Sequence, residues 1–221
     1  MKNYLRLPFL IMLLISNMTF AQLKDVDFDY QYDIHVEVTD QQDTDLSFLL
    51  DKEEKFTALD MNQNGMNVLV LFDTEKKSSF SMMSFNGKKV AVETQMKPQK
   101  FLKNAEDFSD VKITDLPDKK VAGFNGKGIK IKTTTKTYKV YYTSDADYHF
   151  YDVFKMNATE TLYSKIQEKL KIPKESIMLE STTIDNSSNE VESKMTCTAF
   201  NKINRTINGS EYTIQKALIQ N

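Results

Sequence analysis

The chain has 221 residues, 40% of them hydrophobic, and a formal net charge of −2. That is enough to bury a real core within one domain, and so mild an acidic balance argues against a nucleic-acid binder, which would show a concentrated basic footprint. Cys197 is the only cysteine, so an internal disulfide is excluded and the fold must hold by core burial alone.

Residues 1–21 read as a cleavable signal peptide. Lys2 and Arg6 form a basic start, Leu7 to Ile15 an apolar stretch, and Thr19-Phe20-Ala21 a small-residue cleavage pattern. About ten apolar residues interrupted by Pro8 fall short of the ~20 that a spanning helix needs. No cysteine directly follows the cleavage point to carry a lipid, and no later segment has the length and apolarity of a transmembrane helix. The expectation is export to the periplasm or beyond the cell, with residues 22–221 forming a single antiparallel β domain.

After an acidic and aromatic lead-in from Asp25 to Asp33, Ile34, Val36 and Val38 alternate with His35, Glu37 and Thr39 as a first strand. Leu46 to Leu50 is a short second one. Lys55 to Asn62 alternates, and Met66 to Phe72 is almost continuously apolar, as in a strand covered on both faces. Ser79 to Phe85 and Lys88 to Met96 follow. Pro98 to Asp110 reads as a crossing loop with a short helix. From Val121 to Asp152, Ile129, Ile131 and Thr133 alternate with Lys130 and Lys132, and Tyr138, Val140 and Tyr142 return, giving two half-buried strands with charge on one face. Four of the six glycines follow asparagine, at Asn64-Gly65, Asn86-Gly87, Asn125-Gly126 and Asn208-Gly209, and each is read as a type I′ hairpin turn.

One amphipathic helix is expected at about 158–171. Asn157 caps it, Glu160 reaches back, Leu162, Ile166 and Leu170 share a face, and Pro173 ends it. Strands are expected again at Ser176 to Ile184, Val191 to Phe200 and Glu211 to Ile214. The fold class is therefore mainly β (α+β): a curved antiparallel sheet or half-barrel of hairpins, with one covering helix.

Chemical motifs are sparse. Asp60-Met61-Asn62-Gln63-Asn64-Gly65 fits the first half of a calcium loop, but the twelfth position is Leu71 instead of glutamate. Asp145, Asp147 and His149 lie close in sequence and define a metal-assisted hydrolase as a minor alternative. There is no phosphate loop, nucleophile elbow or C-x-x-C, and with two histidines the chain is expected to act by binding, without cofactor or metal. Cys197 is read as a buried residue sharing a face with Val191, Met195 and Ala199. Lys127, Lys130, Lys132, Lys136 and Lys139 are read as a solvated sheet face that also discourages edge pairing.

Methionines recur on the expected strands, where flexible thioethers either fill an irregular core or line an apolar cavity. The candidate ligand-binding residues are Phe80, Met82, Met83, Met96, Tyr138, Val140 and Tyr142. The ligand would be apolar or lipid-like. The alternative is a structural or protein-interaction module of the envelope, with a protein partner and no small ligand.

Lys120-Val121-Ala122-Gly123-Phe124, then Lys127-Gly128-Ile129-Lys130-Ile131 and Tyr141-Tyr142-Thr143-Ser144-Asp145, resemble a recurrent pattern in a family of exported Gram-negative envelope domains of unknown function. Leu71-Phe72-Asp73 and Phe85-Asn86-Gly87-Lys88-Lys89 extend the resemblance. It implies a curved antiparallel sheet similar to the LolA-like half-barrel, with a concave apolar face that helices cover and that can hold acyl chains. It carries over no catalytic residues.

Overall fold

Even-numbered side chains of the first strand, from Val26 through Phe28, Tyr30, Tyr32 and Ile34 to Val36, are all apolar or aromatic, and the strand they build is the seam of the molecule. The computed structural model describes residues 23–63, 66–95, 111–146, 148, 172, 173 and 176–216. They form twelve strands: β1 Val26–Val38, β2 Thr44–Leu50, β3 Phe56–Gln63, β4 Met66–Asp73, β5 Ser78–Phe85, β6 Lys88–Gln95, β7 Lys112–Val121, β8 Phe124–Lys132, β9 Lys136–Thr143, β10 Ile177–Asp185, β11 Val191–Ile207 and β12 Thr213–Lys216. The single sheet has the order β12-β6-β5-β4-β3-β2-β1-β11-β10-β9-β8-β7. It is thus two antiparallel meanders, β1 to β6 and β7 to β11, joined where β1 pairs with β11 from Val26↔Ile207 to Val38↔Ser193.

The sheet curls. Between β11 and β12 lie seven strand spacings, about 34 Å if flat, yet the chain crosses from Ile207 to Thr213 in six residues, which reach at most about 21 Å. The β1–β6 meander must therefore wrap round until β6 meets β12, in the one parallel pairing of the sheet, Thr213↔Val90 to Lys216↔Glu93. The other half bends as well: the Phe124 and Phe200 rings lie 6.2 Å apart, although β8 and β11 are three spacings distant. Register shifts at Phe28/Tyr30 and Asp33/Ile34 of the seam and at Met178/Glu180 of β10 add the local twist that such bending needs.

Three apolar clusters result. The wrapped meander encloses Phe28, Leu49, Ala58, Leu69, Leu71, Phe80, Met82, Ala91 and Ile207. At the seam, Tyr30, Tyr32, Ile34, Leu50, Ile177, Leu179 and Cys197 form a second cluster with Phe48 and Phe200, and the Tyr32 hydroxyl is satisfied by donating to the Met178 carbonyl at 2.6 Å. The third joins Ile129, Ile131, Tyr142 and Ile172 on one face of β8 and β9, opposite to Lys130 and Lys139. That separation is the one expected from the alternation for Lys130, Lys132 and Lys139, whereas Lys127, directly across from Tyr142, and Lys136, two residues before Tyr138, stand on the side of the apolar cluster.

Several details depart from the sequence reading. Asn86-Gly87 is the expected turn, with φ of 50° and 74°, but the hairpin leading into β8 turns at Ala122-Gly123, with φ of 49° and 86°. Asn125-Gly126 lies within β8, where the glycine sits in close quarters: a Cβ there would stand 3.1 Å from Leu179 Cδ1 and 3.2 Å from the Lys119 carbonyl oxygen. Asn208-Gly209 opens a 3₁₀ turn, Gly209–Glu211, and no hairpin. β7 was not expected as a strand, since an edge strand carrying Pro117 and many charges has no continuous core face to betray it. The seam is also longer than expected, starting at Val26 and ending at Ile207. Cys197 is buried, but beside Met195 and Phe200; the seam bulge at Thr198 moves Ala199 off its face, and Val191 is exposed. Residues 1–21, Asn64-Gly65, the segment 98–110 and the helix expected at 158–171 lie outside the described residues. Among the described residues no helix is long and apolar enough to cross a membrane.

Candidate functional site

The concave interior of the wrapped meander is filled by its own side chains: Leu49, Ala58, Leu71 and Ala91 are fully buried and Met82 is 1% exposed. Space remains at the end where β11 hands over to β12. A cleft of about 260 Å³ opens there between β3–β6 and the β11–β12 link. Its floor is Leu69, Met82 and Ile207. Asp60, Asn67 and Ser84 contribute from β3 to β5, Lys89 from β6, and Arg205, Asn208, Glu211 and Tyr212 from the far wall.

The alternation of each strand explains this lining. Asp60↔Leu69 and Leu69↔Met82 are direct cross-strand partners, so their side chains form one row pointing inward, which Ala91 continues on β6. A carboxylate at the mouth end of this row is tolerable because Arg205 Nη1 approaches Asp60 Oδ2 at 2.8 Å. Across the cleft, the Lys89 ammonium donates to the Glu211 carboxylate and lies 5.6 Å from the centre of the Tyr212 ring. That bond holds the Lys89 pKa above and the Glu211 pKa below their ordinary values. The arrangement is an apolar floor under a rim of two ion pairs, suited to an amphipathic molecule that rests its apolar part on methionine and leucine and its polar part on the rim.

The candidate residues divide between two places. Met82 is in the floor, Met83 lines the cleft and is 40% exposed, and Phe80 is buried behind them in the same cluster as Met82. Tyr138, Val140 and Tyr142 belong to the third cluster in the other half of the sheet and do not join the cleft. Met96 lies outside the described residues. Lys89, Arg205, Glu211 and Tyr212 are absent from the sequence reading of the site, and Asp60 enters it only as a calcium-loop position: nothing local marks residues that meet only because the sheet curls, and Lys89 and Glu211 are 122 positions apart.

Asp60 sits in β3 paired with Leu69 and bound to Arg205, which is no calcium loop. Asp145 is exposed, whereas Asp147 and His149 lie outside the described residues. Among the described residues no group of three His, Cys, Asp or Glu side chains is placed to hold a metal. His35 is remote from the cleft, on the seam, bonded to Asp45.

No family model and no curated protein matches the chain. Among solved structures it is similar to PNGF-II in a C2 crystal form, at TM-score 0.39 and 14% identity, covering 86% of this chain and 31% of that one. The chain thus spans about a third of that protein's length. An uncharacterized conserved protein from Thermus thermophilus aligns at TM-score 0.44 and 6% identity, over 93% of this chain and 99% of the other. A LolA superfamily protein from Nitrosomonas europaea aligns at TM-score 0.28 and 6% identity, over 79% and 85%. At such scores these likenesses decide no activity, and the function is to be read from the cleft.

Proposed function

We propose that this is an exported binding protein of the cell envelope, periplasmic or secreted, which holds an amphipathic ligand with an apolar or acyl portion in the cleft between β3–β6 and the β11–β12 link. One observation carries the reading: the cleft has an apolar floor of Leu69, Met82 and Ile207 beneath charged walls. Export is supported by the basic, apolar and small-residue pattern of residues 1–21. Binding suits a site whose cations and carboxylates are engaged with one another.

The cleft is smaller than the ~300–1,000 Å³ usual for drug-sized ligands, so a long acyl chain would be held in part and a short one whole. Native mass spectrometry of the protein purified from its own host, with lipid extraction in parallel, is expected to show extra mass that resolves into acyl-bearing species. A charge at Met82 would be a poor probe, because that side chain is buried and an unpaired charge there would cost folding. Ser84 is exposed at the rim, so Ser84→Trp fills the mouth without entering the core. The variant is expected to melt as the parent does and to lose its retained ligand. Equal ligand retention by Ser84→Trp, or a clean polypeptide mass for the parent, would sink the reading in favour of an envelope interaction module without a small ligand.

A further inference from the structure

The face of β7, β8 and β9 opposite the third apolar cluster carries facing charges of one sign. Lys112 of β7 stands directly across from Lys132 of β8, and Lys130 of β8 directly across from Lys139 of β9. Side chains directly opposite in antiparallel strands have their Cβ atoms about 4.5–5.5 Å apart, and like charges so placed repel. Their other cross-strand neighbours are neutral: Thr114 beside Lys130, Thr137 beside Lys132 and Thr182 beside Lys139. The nearest carboxylates of β10 are engaged elsewhere, Glu180 with Lys119 and Asp185 with Lys136. On β11, Lys194 continues the row across from Thr182 and takes Glu37 for itself. Four lysines therefore form two like-charged facing pairs on one sheet face, with no carboxylate directly across from any of them on the neighbouring described strands.

We infer that this lysine face attaches the protein to an anionic phospholipid surface. The residue type selects that partner. Lysine is a hydrated point charge on a flexible stem, suited to a diffuse field of headgroup charge, whereas a defined phosphate or carboxylate site would favour the planar fork of arginine. The geometry agrees, since these side chains rise from the sheet face and do not line the cleft. Lysine attraction to such a membrane amounts to about five-fold in binding per residue and fades within a Debye length. The cleft lies in the other half of the sheet, so this attachment stands independently of what the cleft holds.

Co-sedimentation of the protein purified from its host tests the inference, using phosphatidylcholine vesicles with and without phosphatidylglycerol. Binding is expected only to the anionic vesicles and should fall steeply with added salt. Lys130→Gln with Lys139→Gln should weaken it by about 25-fold, while the double variant melts no lower than the parent because a repulsive pair has been removed. Lys88→Gln with Lys120→Gln, exposed lysines outside the four, serves as the control that keeps its affinity. Equal binding to both vesicle types, no binding to either, or full affinity in the Lys130/Lys139 variant would each overturn the inference. Salt-sensitive capture by soluble polyglutamate without vesicle binding would overturn it too, in favour of an acidic protein partner.

Discussion

His35 Nδ1 lies 2.7 Å from Asp45 Oδ1, and its Nε2 lies 4.0 Å from Glu37. The hydrogen bond to Asp45, followed by the charges of Asp45, Asp43 and Glu37, raises the imidazole above its ordinary pKa of 6.5. Because the folded value is the higher one, the stability this pair contributes is complete below about 6.5 and is lost as pH rises through the folded value. Chemical-shift titration of His35 is expected to give a midpoint above 6.5 that falls back toward it in Asp45→Asn; a parent midpoint at or below 6.5 would refute the pairing. Cys197 shows the opposite influence. Burial, then the Asp33 charge, pushes its thiol up to about 11, which makes it inert. Its burial was legible from the apolar company it keeps in sequence, but Phe200 as its neighbour was not, since a single bulged residue changes which side chains share a face.

Among the elements, the hairpins are where the chain spells out its structure best. Asn86-Gly87 takes two positive φ angles and closes β5 onto β6 as its dipeptide demands. The β7–β8 hairpin makes the same backbone turn with Ala122 in the first position. A left-handed conformation costs an ordinary L-residue roughly 1–2 kcal/mol, and asparagine tolerates it best after glycine. Ala122→Asn should therefore stabilise the protein by about 0.5–1 kcal/mol, read as a higher urea midpoint with unchanged slope. A lower midpoint would mean that the turn is not of this type. The strand before that turn was invisible in the sequence for a physical reason. β7 is an edge strand, interrupted by a bulge between Leu116 and Lys119, and its burial pattern lacks the clean alternation of a strand with one face in the core.

On the scale of the whole molecule, closure depends on how near the start of the described chain comes to its end. Gly209 is buried beneath Leu23 and Lys24, where a Cβ would stand 2.3 Å from the Lys24 carbonyl oxygen and 2.8 Å from Leu23 Cγ. Backbone cannot yield as the tip of a flexible side chain can, so Gly209→Ala should displace the link between β11 and β12. The expected cost is that of an overpacked core, about 1–3 kcal/mol, seen as a lower melting temperature together with a weaker hold on the ligand of the adjoining cleft. A melting curve that matches the parent would show that the two segments do not approach so closely. The Gly209 reading also explains why its Asn-Gly dipeptide misled: one residue pair serves for a turn at 86 and for a close approach at 208, and only the neighbours in space distinguish the two.

The sequence by itself determined what is local. Alternation set which face of β8 and β9 is apolar, and Asn86-Gly87 set a turn. The tertiary structure alone decided how the two meanders share the β1–β11 seam, how far the first one wraps, and hence that Lys89 meets Glu211 and Asp60 meets Arg205 around one cleft. The physical reason is range. Periodicity and turn chemistry act over a few residues through backbone sterics, whereas curl is the sum of twist and bulges over many strands, and no short stretch of the chain records that sum.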